Sequence, residues 1–286
     1  MELTNQEIED ERRRGRTAGI ATLAGVVLFI VAMIAFASDF NAADQAEQLR
    51  TFESVKSDVL IQVLIQALAV LLFIPALVSL FRSIRARAET VRPGLIGLVI
   101  ASPILLALSL VFTYFAFKTG SDAFLDPSAT YDTNSNDVAD TVFYDQFPTQ
   151  LRTGFGLAGS LGLAFTTVYM ALYSMRTGLM TRFWGTLAMA LGIGTLLFGS
   201  LMLVAYMIVI ALLVAAWWPG TRPPAWDAGK AMPPPAPGRP GDAEPRDDEL
   251  AAPEDFEGSA TELPPEPAPE PEGGSSPQKR KRKRRT

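Results

Sequence analysis

Two sets of polar residues in this 286-residue chain have types and spacing that bear on chemistry. Asp132, Asn134, Asn136 and Asp140 fall at positions 1, 3, 5 and 9 of an EF-hand-like calcium loop, where hard oxygen ligands gather round the ion. Two requirements of that loop fail. Position 6 is Asp137 where the sharp turn needs Gly, and position 12 is Phe143 where a bidentate Glu belongs. A solvated acidic loop is therefore the default reading, with a calcium site the alternative. Gln62 and Gln66, four residues apart, share one face of an apolar helical stretch. Interhelical hydrogen bonds worth about 0.6–2 kcal/mol each are the plain role for such a pair, and lining a polar path is the sharper one.

Composition removes most other chemistry. The chain has no Cys and no His, so disulfides, thiolate catalysis, zinc–thiolate and His-metal sites, Ser-His-Asp triads and imidazole relays are excluded. Gly154, Gly156 and Gly159 spell the dinucleotide fingerprint G-x-G-x-x-G, but they open an apolar span without a preceding strand or an acidic ribose partner downstream. Small-residue packing explains them better. Gly154, Ala158 and Gly162 recur every four residues, as do Gly156, Ser160 and Ala164, and such rows let helix backbones approach closely. Ala188 with Gly192 and Ala190 with Gly194 repeat the pattern, so the fourth and fifth spans are expected to pack together. The spacing serves a contact within one subunit or between copies of the chain equally. No cofactor is implied.

The elements that carry these residues are apolar blocks of about twenty residues, the length that crosses a hydrocarbon core of roughly 30 Å. The fold class read from them is all-α, a polytopic transmembrane helix bundle. Spans are expected over about 17–37, 59–80, 94–117 and 154–174, after a polar head at 1–16. Thr4 and Glu7 have the capping-box spacing that starts a helix in that head. Ala35-Phe36-Ala37 resembles a signal-peptidase site, yet the preceding apolar stretch is longer than a signal core, which favours an uncleaved anchor. Pro75 and Pro103 lie inside spans and predict kinks. No span contains Asp, Glu, Lys or Arg, which argues against coupled transport through buried carboxylates.

Phe183 to Trp218 contains no charged residue and is too long for one crossing. Split near Gly199-Ser200 it gives two short spans, 183–199 and 201–218, and six in all; five is the alternative. Lys and Arg number ten in the head and the 81–93 and 175–182 linkers, against four in the two longer acidic loops. The positive-inside rule then puts the head and, with six spans, both termini in the cytoplasm. Trp184 and Trp217-Trp218 fit interfacial anchors at that face. In the outer loop, Ala139, Val142, Phe143 and Phe147 form the apolar stripe of a short helix on the membrane surface.

Sixteen of the 21 prolines lie in 219–286, which reads as a disordered cytoplasmic tail with an acidic middle. It ends in Lys279, Arg280, Lys281, Arg282, Lys283, Arg284 and Arg285, a run suited to anionic lipid or an acidic protein partner. Nucleic acid is disfavoured because no aromatic residues are interleaved. Residues 178–195 (GLMTRFWGTLAMALGIGT) and 218–226 (WPGTRPPAW) resemble uncharacterised polytopic membrane proteins of high-GC Gram-positive bacteria. The resemblance implies a bacterial inner-membrane setting and no activity. The expected function is a non-enzymatic integral membrane scaffold, assembly factor or partner modulator; a small-solute transporter or channel is the alternative.

Overall fold

In a computed structural model, residues 3–36, 40, 43–128, 130, 132–218 and 222–232 are described, and all regular structure among them is helical. Helix α1 (Asn5–Ala35) runs unbroken from the polar head into the first apolar block. The capping box forms: Thr4 Oγ1 accepts from the Glu7 N–H, and Glu7 Oε2 accepts from the Thr4 N–H at 2.9 Å. The next block breaks where Pro75 predicts it. Helix α2 (Gln45–Leu71) ends four residues before the proline, and α3 (Ile74–Arg87) restarts with Pro75 in its first turn. Thr22 Oγ1 of α1 donates to the Leu72 carbonyl at 2.9 Å, bonding a group at the break. Pro103 is accommodated without a break inside α4 (Leu95–Phe124).

Helices α5 (Asn136–Asp145) and α6 (Phe147–Thr177) follow, then α7 (Arg182–Phe198), α8 (Ser200–Val214) and the single turn α9 (Ala225–Ala228). By length and composition, α1, the α2–α3 pair, α4 and α6 are long and apolar enough to cross a membrane. Helices α7 and α8 are not, at 17 and 15 residues, or about 25 and 22 Å against a core of roughly 30 Å. Length and composition among the described residues thus show four long spans and two shorter apolar helices, and a count of six is not confirmed.

The reversal itself lies where the sequence put it. Gly199 joins α7 to α8 at φ 61°, a backbone state that glycine adopts without a Cβ penalty. The two helices return side by side, and Trp184 and Trp218 meet edge to face with ring centroids 4.7 Å apart. The turn stops part-way along the bundle. Gly199 and Ser200 share a cavity of about 170 Å³ with Phe29, Leu106 and Ser160, all from the interiors of α1, α4 and α6.

Close backbone approach holds the long helices together. The broadest contact is α4 on α6. A Cβ on Gly159 would come within 2.7 Å of the Leu106 nitrogen, and one on Gly162 within 2.3 Å of Ser102 Oγ. Gly156 abuts Ser109 in the same way. The facing row is thus Gly156, Gly159 and Gly162, and its partner is the third span, not the fifth. Gly154 has open space around it, and Ala158 is exposed. The α6–α7 contact uses other residues of α6: Gly192 of α7 closes on Thr167, and Gly185 on Met175. Helix α1 contributes a row that sequence reading passed over, with Gly15 against the Val214 carbonyl and Gly19 against Ala211 and Ala215.

At the far end from the head, rings close the bundle. Phe117 lies 5.0 Å from both Phe40 and Phe143, and 6.2 Å from Phe52. Replacing Gly159 by Ala is expected to cost about 1–3 kcal/mol, because the new methyl meets backbone that cannot rotate away. Gly154→Ala should stay within about 0.5 kcal/mol of the parent. Reversible unfolding of the purified protein in detergent checks both.

Candidate functional site

Among the described residues, one charged residue is buried. Arg87, in the last turn of α3, has no exposed side-chain surface. A buried guanidinium is stable only with a counter-charge and partners for its five N–H groups. All five are engaged. Nη1 and Nη2 donate to the two carboxylate oxygens of Glu11 at 2.9 Å each, a bidentate pair. Nη1 also donates to the Ser83 carbonyl at 3.0 Å, Nε to the Ala225 carbonyl at 3.0 Å, and Nη2 to the Trp226 carbonyl at 3.3 Å.

The partners come from three separate stretches: the head of α1, α3 itself, and residues 222–232 beyond the hairpin. That last stretch forms a strap across the end of the bundle. Trp226 is 3% exposed and its indole N–H donates to the Leu179 carbonyl at 3.0 Å. The Arg87 and Arg222 guanidiniums lie over its ring, 5.5 and 4.1 Å from the centroid. Burial holds the Arg222 pKa down to about 10, so it stays charged at neutral pH. The strap is pinned at both edges. The Leu3 N–H donates to the Gly229 carbonyl, and the Met232 N–H to the Thr177 carbonyl, both at 3.0 Å. Gly178 ends α6 at φ 76°, and a Cβ there would sit 2.0 Å from the Met232 carbonyl oxygen. Only glycine fits both requirements.

Residues 222–232, assigned to the tail by composition, therefore belong to the bundle. Their signal was present: Trp226 and Met232 are the large apolar side chains of this stretch, beside Pro223 and Pro224. Arg87 and Glu11 gave no comparable signal, being two of several charges flanking the spans. Beside this cluster, the head of α1 and α3 enclose a groove of about 670 Å³ whose walls include Asp10, Arg14, Pro75 and Arg82.

The residues singled out by spacing have other placements. Gln62 and Gln66 are both buried on the inward face of α2, at 6% and 9% exposure. In the outer loop, Asn136 Oδ1 accepts from the Ala46 N–H at 3.1 Å, and Asn134 Oδ1 accepts from Arg50 Nη1 at 2.8 Å. Asp132 accepts from the Asn134 N–H in a local turn, and Asp140 is exposed on α5. Two of the four proposed calcium ligands thus tie the loop to the start of α2. The short helix exists, but Ala139 and Phe143 turn inward to the ring cluster, and Phe147 is 69% exposed at the start of α6. The basic run Lys279 to Arg285 lies outside the described residues, as does the rest of 233–286.

Residues 17–221 match a family described as Domain of unknown function (DUF4386). The chain belongs to that family. The DUF4386 region includes Arg87 and Leu179 but stops before Arg222 and Trp226, and it begins after Glu11. The buried guanidinium is inside the family region; its counter-charge and the strap are not. No curated protein and no solved structure matches the chain.

Glu11→Ala leaves the Arg87 guanidinium buried without its counter-charge and is expected to cost about 3–5 kcal/mol. The double variant Glu11→Ala with Arg87→Met should lose less than the sum of its parts by about 1–3 kcal/mol. Unfolding of all four forms in the same detergent measures that coupling.

Proposed function

We propose that this protein is a non-enzymatic, multi-pass inner-membrane scaffold or partner modulator that presents its carboxy-terminal tail from a rigid root. One observation carries the reading: Arg87 is bonded at once to Glu11 of the head and to the Ala225 and Trp226 carbonyls of the strap. The tail therefore leaves the bundle beside the head.

The α7–α8 hairpin brings the chain back to the end it left, whether it counts as two short crossings, six in all, or as a re-entrant loop. In either case head and tail share a side. The Lys and Arg bias around the head and the 81–93 and 175–182 linkers favours the cytoplasm for that side. Beyond the strap the tail carries an acidic middle and a basic end, charges suited to contact with a protein partner or an anionic membrane surface. Fixing its first residues shortens the reach to a partner bound on the same face, which raises the effective concentration of tail over target.

Two measurements test this. A reporter fused after Met232 should be active in the cytoplasm only; periplasmic activity would overturn the shared-side topology. Crosslinking in membranes should capture a protein that is lost when residues 233–286 are removed, while the truncated bundle keeps its unfolding midpoint. Solute-specific flux in proteoliposomes, abolished by Gln62→Leu, would replace the scaffold reading with a transporter.

A further inference from the structure

The groove between the head of α1 and α3 has the shape and charge of a lipid site. Its rim carries Glu7, Asp10, Arg14 and Arg82, and its lower wall carries Ala18, Ala21, Pro75 and Val78. Arg16 marks the charged edge of the first apolar block, and Pro75 lies exposed within the α2–α3 span. The groove therefore runs from headgroup level into the hydrocarbon. A volume of about 670 Å³ is within the range of about 300–1,000 Å³ for small-molecule sites.

The rim charges are uncommitted. Among the described residues, the side chains of Asp10, Arg14 and Arg82 make no hydrogen bond or ion pair. Glu7 uses Oε2 on Thr4, and those bonds hold its carboxyl below the usual range, so it is ionised at neutral pH. Glu11 also lines the groove but is neutralised by Arg87. Ser83 also lines the groove and is buried at 2% exposure.

Two cations against two anions select a molecule carrying both signs. We propose that this groove binds one zwitterionic phospholipid with a primary ammonium, of the phosphatidylethanolamine class. Arg14 and Arg82 take the phosphate, since guanidinium groups match phosphate oxygens with paired N–H donors. Glu7 and Asp10 take the ammonium, which has three N–H donors. An acyl chain follows Ala18, Ala21, Pro75 and Val78. An anionic headgroup would leave Glu7 and Asp10 unpaired beside the added negative charge. A choline headgroup cannot donate hydrogen bonds to them. The site is independent of which leaflet it faces.

The test uses the full chain, delipidated in detergent and supplied with phosphatidylethanolamine, phosphatidylcholine or phosphatidylglycerol at equal mole fraction. Native mass spectrometry should retain one phosphatidylethanolamine, at least about five-fold more than either competitor. Arg82→Gln should lower that retention about five-fold or more, and Asp10→Asn should erase the preference over phosphatidylglycerol. Both side chains are exposed and, among the described residues, make no hydrogen bond or ion pair, so the lipid-free unfolding midpoint of each variant should equal the parent's. Equal retention of the three lipids, preference for phosphatidylglycerol, or unchanged retention in both variants would overturn the assignment. An equal thermal shift from glycerophosphoethanolamine, which has no acyl chains, would overturn the lipid half of it.

Discussion

A guanidinium buried without exposed surface constrains everything around it. Moving such a charge out of water costs several kcal/mol even after the protein relaxes, and that cost is offset only when the counter-charge and every N–H partner are in place. For Arg87 those partners are Glu11, Ser83, Ala225 and Trp226. They are remote in sequence, so the site forms only when the head, α3 and the strap reach the same end of the bundle. The hairpin follows from that demand. A chain that left α6 and crossed once would deliver residues 222–232 to the wrong end, far from Arg87.

The body of the bundle answers to a different constraint. In lipid there is no hydrophobic drive between helices, so close packing of backbones has to supply the association. Gly156, Gly159 and Gly162 let α6 settle on α4, and Gly15 and Gly19 let α1 settle on α8. Side-chain hydroxyls also reach backbone carbonyls of neighbouring helices. Thr22 serves the Leu72 carbonyl at the Pro75 break, and Ser109 Oγ donates to the Arg152 carbonyl at 2.8 Å. The two ends differ accordingly. The head end is held by charge and hydrogen bonds, and the far end by Phe40, Phe52, Phe117 and Phe143 with the short helix α5 closing over them.

Charge patterning is also what separates the two surfaces at the head end. Glu11 and Arg87 cancel inside the bundle, while Glu7, Asp10, Arg14 and Arg82 remain at the rim of the neighbouring groove. The same helix face of α1 thus serves structure with one carboxylate and leaves its neighbours available to a ligand. The DUF4386 match spans residues 17–221, so Arg87 and Ser83 lie inside it and Glu11, Ala225 and Trp226 outside it.

The sequence by itself determined the helical class, the four long apolar blocks, the break at Pro75 and the capping box at Thr4 and Glu7; it offered the reversal near Gly199 beside a single crossing, and the packed structure has the reversal. The first four are local matters of run length, a missing N–H or a side-chain reach of three residues. Only the tertiary structure decided which small residues face which helix, that the hairpin stops part-way, that Asn134 and Asn136 fasten a loop, and that Trp226 is core. Those outcomes depend on what lies across from a residue. Gly154 and Gly159 look alike in a row of small residues, yet one faces open space and the other the Leu106 backbone. Arg85 and Arg87 look alike in a basic linker, but about half a turn of α3 separates them and puts the first in solvent and the second against Glu11 and the strap. Spacing along a chain sets periodicity; partners 76 and 139 residues away set burial.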